Sequence, residues 1–212
     1  MSGLTLSRIP VAVWLVLAYC VMAALLQLYM PQFMYQRDLM PTEPWRWWTA
    51  QWVHVGWRHY LLNVFAFLCL PFIFPYLGRV ALMWAVLVLS PLLSISLYWL
   101  CPQIIAYAGL SGVLHALYAW AALDSLLIHN PQKTFLFKGS WQLTSEQKFA
   151  ALLFIGVVLK VVAEKWMGHS QTEQFIQAPV LIEAHQIGLV LGIWYATLTW
   201  IVFKIQSKNK AA

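Results

Sequence analysis

Residues 109–128 read Gly-Leu-Ser-Gly-Val-Leu-His-Ala-Leu-Tyr-Ala-Trp-Ala-Ala-Leu-Asp-Ser-Leu-Leu-Ile, an apolar stretch of membrane length that opens on a serine. Two other apolar stretches also open on polar, catalysis-capable residues: one on His54, His59 and Asn63, the other on His185. A polar side chain in hydrocarbon lacks water as a partner and costs roughly 2.5 to 3.5 kcal/mol in the worst cases, so it marks a functional site by default. These stretches predict a membrane protein with one polar site.

The composition indicates a chain that resides in a lipid bilayer. Of the 212 residues, 62% are hydrophobic and only 9% are charged, and the mean hydropathy is +0.69. Soluble domains are about 25% charged. A helix needs about 20 residues to cross a bilayer, so 212 residues can hold about six spans with short loops and no sizeable soluble domain. We therefore predict a single membrane domain over residues 1–212. The sparse basic residues form no groove interleaved with aromatics, which argues against a nucleic-acid partner.

The apolar runs predict an all-α membrane protein with six transmembrane helices. Helices are favoured over an outer-membrane barrel because the runs are apolar all round, whereas barrel strands alternate in polarity over about ten residues. The fifth run is short, and three charged residues, Lys160, Glu164 and Lys165, crowd its end. The predicted spans are 10–29, 55–76, 80–100, 110–128, 149–163 and 185–203.

The distribution of lysine and arginine predicts the orientation, since cytoplasmic loops carry an excess of both. With six spans, eight basic residues fall on the side of the termini: Arg8, Arg79, Lys133, Lys138, Lys148, Lys204, Lys208 and Lys210. Five fall on the other side: Arg37, Arg46, Arg58, Lys160 and Lys165. This bias favours cytoplasmic termini. The second, fourth and sixth spans then all begin at the extracytoplasmic face, so their polar residues lie at a similar depth.

Ser111 lies between Gly109 and Gly112 at the start of a predicted helix. Free backbone N–H groups and the positive end of the helix dipole at such a position can stabilise an oxyanion. Small residues are also common where membrane helices cross, so the motif alone favours a packing role.

His185 opens the sixth run and is followed by Gly188 and Gly192, a Gly-x-x-x-Gly face that lets two helix backbones approach closely. That contact would bring His185 to Ser111, whose hydroxyl needs an adjacent base, and a neutral imidazole can accept its proton. The spacing therefore predicts a serine nucleophile with a histidine base.

No carboxylate is evident in the sequence to orient this histidine. Glu183 lies two residues before His185 and points elsewhere on a helix, while Asp124 lies about 20 Å along the axis from Ser111. The sequence therefore predicts a serine–histidine dyad, with Asp124 near the cytoplasmic end and Glu183 at the interface.

His59 and Asn63 are spaced i to i+4, so they share one helical face and can direct donors at one point. This spacing suits an oxyanion hole. His54 is rotated off that face and is predicted to tie down the preceding loop. The helical His-Glu-x-x-His pattern of zinc enzymes is absent, and we expect no metal and no cofactor.

Residues 45–63 read Trp-Arg-Trp-Trp-Thr-Ala-Gln-Trp-Val-His-Val-Gly-Trp-Arg-His-Tyr-Leu-Leu-Asn. The chain resembles the rhomboid family of intramembrane proteases. It has the family's Trp-Arg pair, its His-x4-His-x3-Asn pattern, its Gly-x-Ser-Gly nucleophile and its Ala-His-x-x-Gly-x-x-x-Gly helix, in family order over residues 45–192.

The resemblance implies Ser111 as nucleophile and His185 as general base. It further implies oxyanion donors from His59, Asn63 and the Ser111 amide. The first loop would be shaped by Trp45 and Arg46, although tryptophans here also fit an interfacial aromatic belt. Substrates would be transmembrane proteins in the lipid bilayer.

One position departs from the family pattern. Four residues after the serine, where many members have a tyrosine that packs on the histidine, this chain has His115. A supporting role is expected, with a role as the base as the alternative. The segment 168–184 is either a lid or a mere connector containing Pro179.

The stretch Gly-Leu-Ser-Gly-Val-Leu-His in a compact six-span body looks like the rhombosortase branch of bacterial rhomboids. That branch implies cleavage of exported proteins with a C-terminal Gly-Gly motif, one apolar helix and a basic tail, at a site open to the periplasm of the inner membrane. The alternatives are an inactive rhomboid-like protein that binds membrane helices, and a small transporter. A transporter would have polar residues along the depth of several spans, whereas these cluster at one end.

Overall fold

The structure, a computed structural model, describes residues 11–128 and 143–209, and within these ranges it contains nine α-helices. Six are long: α1 (Val11–Gln27), α4 (Trp57–Ile73), α5 (Arg79–Leu100), α6 (Ser111–Leu127), α7 (Ser145–Met167) and α9 (Ile182–Asn209). Three are short: α2 (Met30–Phe33), α3 (Arg46–Thr49) and α8 (Thr172–Ile176). Two short strands, β1 (Tyr35–Gln36) and β2 (Ala106–Tyr107), pair antiparallel and were not predicted.

The six long helices coincide with the six predicted apolar runs. The largest differences are in α7, which extends four residues beyond the predicted run at each end, and α9, which extends to Asn209. Two of these helices, α5 and α9, are clearly long and apolar enough to cross a membrane. The all-helical class is confirmed in the described residues, apart from the short β pair, whereas the count of six spans stays a prediction.

The predicted orientation depends partly on charges that the structure does not describe. Arg8, Lys133, Lys138 and Lys210 lie outside the described residues, as does Pro10 at the start of the first predicted span. The orientation therefore also stays a prediction.

Helix α6 forms the centre of the bundle. It packs most extensively against α9 and also contacts α7, α5 and α4, and most of its side chains are buried. The core around it consists of aliphatic and aromatic side chains such as Leu89, Leu93, Leu117 and Phe67. Ser111 is therefore the first residue of the helix at the centre of the bundle.

The segment between α1 and α4 is fixed by hydrogen bonds to its backbone. The buried Arg46 guanidinium donates to the carbonyls of Pro31 at 2.9 Å and Met34 at 2.6 Å, and it pairs with Glu43 at 2.6 Å. The Trp45 indole donates to the Gln32 carbonyl at 3.1 Å, with its ring about half exposed. The geometry is consistent with the expected loop-shaping role of the Trp-Arg pair.

Candidate active site

Ser111 and His185 lie in hydrogen-bond contact although 74 residues separate them in the chain. Ser111 is the first residue of α6, and its Oγ lies 2.9 Å from His185 Nε2. His185 lies in the first turn of α9 and is buried. A nucleophile and a base within 2.6–3.2 Å of each other are the geometric signature of an activated serine.

Glycines bring the two helices to this distance. A Cβ at Gly188 would lie 2.0 Å from the Gly112 carbonyl oxygen, and one at Gly192 would lie 2.3 Å from the Ala116 carbonyl oxygen. The backbones of α6 and α9 thus touch along the predicted Gly-x-x-x-Gly face. At Gly112 itself, a Cβ would lie 2.9 Å from the Ala184 carbonyl oxygen, so this contact tolerates no side chain from either helix.

The structure adds a carboxylate that the sequence reasoning missed. Glu164 on α7 is buried, and its Oε2 lies 2.7 Å from His185 Nδ1. The expectation that no carboxylate reaches the histidine was therefore wrong. Glu183 and Asp124 do not make this contact. The available signal was the Lys160–Glu164 pair at the end of the fifth apolar run, since an ionisable residue at membrane depth marks a functional position by default.

The His115 ring packs flat against the ring of His185. Its ring stacks on that of His185 with centroids 4.1 Å apart and planes 23° apart, and its Nδ1 donates to the Ser111 carbonyl at 2.7 Å. No bond joins His115 to the serine hydroxyl among the described contacts, and its supporting role stays a prediction.

His115, Glu164 and His185 place three possible ligand atoms within 4.8 Å of one another. Ring lone pairs lie in the ring planes, and the two imidazole planes are nearly parallel, so they do not converge on one ion at the 2.0–2.1 Å that zinc requires. Both nitrogens of His185 already have protein partners. The geometry favours a hydrogen-bonded relay over a metal site.

His59 and Asn63 face the same cavity as Ser111. Both are buried in α4, and Asn63 Nδ2 has no hydrogen-bond partner among the residues that the structure describes. The His59 ring lies against Gly109, where a Cβ would meet it at 2.8 Å, and Gly109 has a φ of +146°, which disfavours any side chain. An unpaired buried donor beside a serine is available to a ligand oxygen.

His54 also contacts the segment that leads into the serine. Its Nε2 accepts from the Leu110 N–H at 3.3 Å, so the ring holds the residue before the serine, and its role in holding the preceding loop stays a prediction. Burial, followed by the charge of neighbouring His59, lowers the pKa of His54 to about 3. The ring is therefore a neutral acceptor at physiological pH.

A cavity of about 370 Å³ opens beside the serine. Its walls are mostly apolar, with residues such as Ala66, Leu114, Tyr118, Leu153 and Val157 from α4, α6 and α7. Part of the segment 168–184 forms one wall, because Thr172, Ile176 and Val180 line the cavity. That segment therefore lines the cavity as well as joining α7 to α9, and the apolar walls suit an apolar guest.

Comparison with known families identifies the class of protein. The model of the Rhomboid domain matches residues 41–202, which is most of the chain. No curated protein matches the chain. The chain belongs to the rhomboid family. Members of this family are integral membrane proteins and are generally intramembrane serine proteases.

Proposed function

We propose that this protein is an intramembrane serine endopeptidase that cleaves transmembrane-anchored proteins near the top of their membrane helix. The observation that carries the proposal is the 2.9 Å contact between Ser111 Oγ and His185 Nε2. It is supported by the apolar cavity beside the serine, which suits a membrane helix, and by membership of the rhomboid family.

The proposed reaction is acyl transfer. Ser111 Oγ forms a bond to the scissile carbonyl carbon while His185 Nε2 takes the hydroxyl proton. The peptide C–N bond then breaks, and the same proton passes to the leaving amine. The carbonyl oxygen becomes an oxyanion that accepts hydrogen bonds from His59, Asn63 and the backbone N–H of Ser111. That N–H is free for this role because the first N–H groups of a helix have no acceptor within the helix. Water then attacks the ester and releases the product.

For the substrate we propose exported proteins with a C-terminal Gly-Gly motif, as in the rhombosortase branch. The support is the sequence Gly-Leu-Ser-Gly-Val-Leu-His, together with the contact of His115 with His185. Glycines weaken a helix, so a substrate helix can unwind there and expose a peptide bond to the serine. In this proposal the protein resides in a bacterial inner membrane with cytoplasmic termini and its site open to the periplasm.

The test is covalent labelling of the folded protein in detergent with a fluorophosphonate probe. We expect one adduct, located on Ser111 by peptide mass spectrometry, and none on heat-unfolded protein. An unlabelled folded protein, checked with a second serine-reactive chemotype, would favour an inactive rhomboid-like protein that binds membrane helices.

Removing one oxyanion donor gives a separate prediction. Asn63→Ala should lower kcat by about 100- to 1,000-fold, because a preorganised donor contributes that much to acyl transfer. Turnover of a cleavable reporter by wild type and variant measures the effect. Asn63→Asp keeps the size but removes the donor, so it should be equally impaired; retention of activity by either variant contradicts the role.

The substrate proposal predicts a dependence on glycine. A reporter ending in a Gly-Gly motif, an apolar helix and a basic tail should be cleaved, and the same reporter with both glycines replaced by valine should be cleaved at least 10-fold more slowly. The apolar helix and tail are identical in the two reporters, which makes them a matched pair. Equal cleavage would remove the rhombosortase-like substrate class while leaving the protease proposal in place.

A further inference from the structure

The Glu164 carboxylate has more partners than a simple contact between helices requires. Its Oε2 meets His185 Nδ1 at 2.7 Å, while its Oε1 pairs with the Lys160 ammonium and accepts from Ser170 Oγ at 2.6 Å. The carboxylate is almost fully buried, at 4% side-chain exposure. The carboxylate thus contacts the ring nitrogen of His185 that does not face Ser111.

The two nitrogens of His185 must have different protonation states for the proposed reaction. Nε2 must be unprotonated to accept the Ser111 proton, so the neutral ring must carry its proton on Nδ1. The partner of the other nitrogen determines which tautomer a histidine adopts. A carboxylate is purely an acceptor when ionised, so it selects the Nδ1–H form.

We propose that Glu164 is a positioning residue that completes a serine–histidine–carboxylate relay, with Glu164 on α7, His185 on α9 and Ser111 on α6. This inference rests on the proposed function. Glu164 holds His185 in the productive tautomer and orientation, and its negative charge faces the imidazolium that forms when Nε2 takes the serine proton. The proton stays on the histidine, and Glu164 forms and breaks no covalent bond.

Lys160 and Ser170 keep the carboxylate ionised in apolar surroundings. A lone charge in such an environment is costly, and a partner cation with further hydrogen bonds offsets that cost. Lys160 lies one helical turn before Glu164, and Ser170 lies in the segment after α7. The ionised acceptor is thus built from α7 and the segment that walls the cavity.

The competing explanation is that Glu164 only holds α7 to α9. The contacts favour positioning, because a helix-to-helix link does not need the carboxylate on the one ring nitrogen whose proton sets the tautomer. In a serine protease of another fold, converting the triad aspartate to asparagine leaves the geometry intact and lowers kcat by about 10⁴, by selecting the wrong tautomer. The corresponding change here, Glu164→Gln, separates the two explanations.

The decisive variant is Glu164→Gln, compared with Glu146→Gln. Glu146 is exposed in the first turn of α7, at the opposite end of the same helix. We expect the fluorophosphonate labelling rate of Glu164→Gln to fall by at least about 100-fold, with Glu146→Gln at the wild-type rate. Thermal unfolding checks that the variants fold. A Glu164→Gln variant that folds and labels within threefold of wild type overturns the proposal.

A measurement on the unmodified protein remains decisive if Glu164→Gln does not fold. The ¹⁵N shifts of the His185 imidazole report its tautomer directly, with assignment by comparison to His185→Ala. We expect Nδ1–H in wild type, and a predominantly Nε2–H ring would overturn the proposal. Absence of any labelling in wild type would instead count against the proposed function, so the two failures are distinguishable.

Discussion

Ser111→Ala will show no probe adduct and no cleavage of any substrate, while folding as well as wild type. The hydroxyl is the only group in the proposed mechanism that forms the covalent bond, and its alanine replacement removes one oxygen from the wall of an existing cavity. Because the N-cap residue of α6 is Leu110, the substitution at Ser111 removes no helix cap, and the loss of stability should be small. Intact mass and thermal unfolding measure the two quantities.

The matched control for this result is Ser90→Ala. Ser90 is also a buried serine on an apolar helix, α5, and its hydroxyl has no hydrogen-bond partner in the described part of the chain. It should label and cleave as wild type does. Residual labelling of Ser111→Ala at the wild-type rate would show that another residue reacts with the probe, and the nucleophile assignment would be wrong.

Gly188→Ala should have the second-largest effect, although Gly188 takes no part in the chemistry. A Cβ there would lie 2.0 Å from the Gly112 carbonyl oxygen, and a backbone atom cannot move aside as a flexible side chain would. Helix α9 must therefore shift away from α6. The shift carries His185 away from Ser111, and a misplacement of about 1 Å can cost about 100-fold in rate.

We expect Gly188→Ala to lower the labelling rate by about 100-fold or more, and to destabilise the fold by about 1–3 kcal/mol through overpacking. Gly156→Ala is the control, since Gly156 lies within α7 and a Cβ there would meet no atom of the described residues within 4 Å. It should be neutral or stabilise the protein by about 0.5–1 kcal/mol, the usual gain for alanine within a helix. Equal effects of the two substitutions would contradict the close-contact explanation.

The family and the components of the site were recognisable from the chain because each depends on local sequence. The Trp-Arg, His-x4-His-x3-Asn, Gly-x-Ser-Gly and Ala-His motifs each lie within about twenty residues, and the Rhomboid domain match over residues 41–202 confirms the family they indicated. The long helices also followed from apolar runs, because a helix satisfies its own backbone hydrogen bonds and needs little tertiary information to form in an apolar medium.

The partner of His185 could not be recognised in the same way. Glu164 precedes it by 21 residues and reaches it from another helix, so no spacing along one helix relates the two. Proximity in sequence indicates only Glu183, near the histidine, and Asp124, near the serine. The Lys160–Glu164 pair is not distinguished by sequence, because a charge at the end of an apolar run is equally typical of an interface.

The sequence alone determined the helices, the motifs and the glycine face, since these depend on local hydrophobicity and on spacing within one helix. Only the tertiary structure decided which groups meet. The approach of α6 to α9, the position of Glu164 on His185 and the bond from Leu110 to His54 depend on how helices distant in the chain pack together. Side-chain volume and backbone contact set that packing, and neither quantity can be read from one segment at a time.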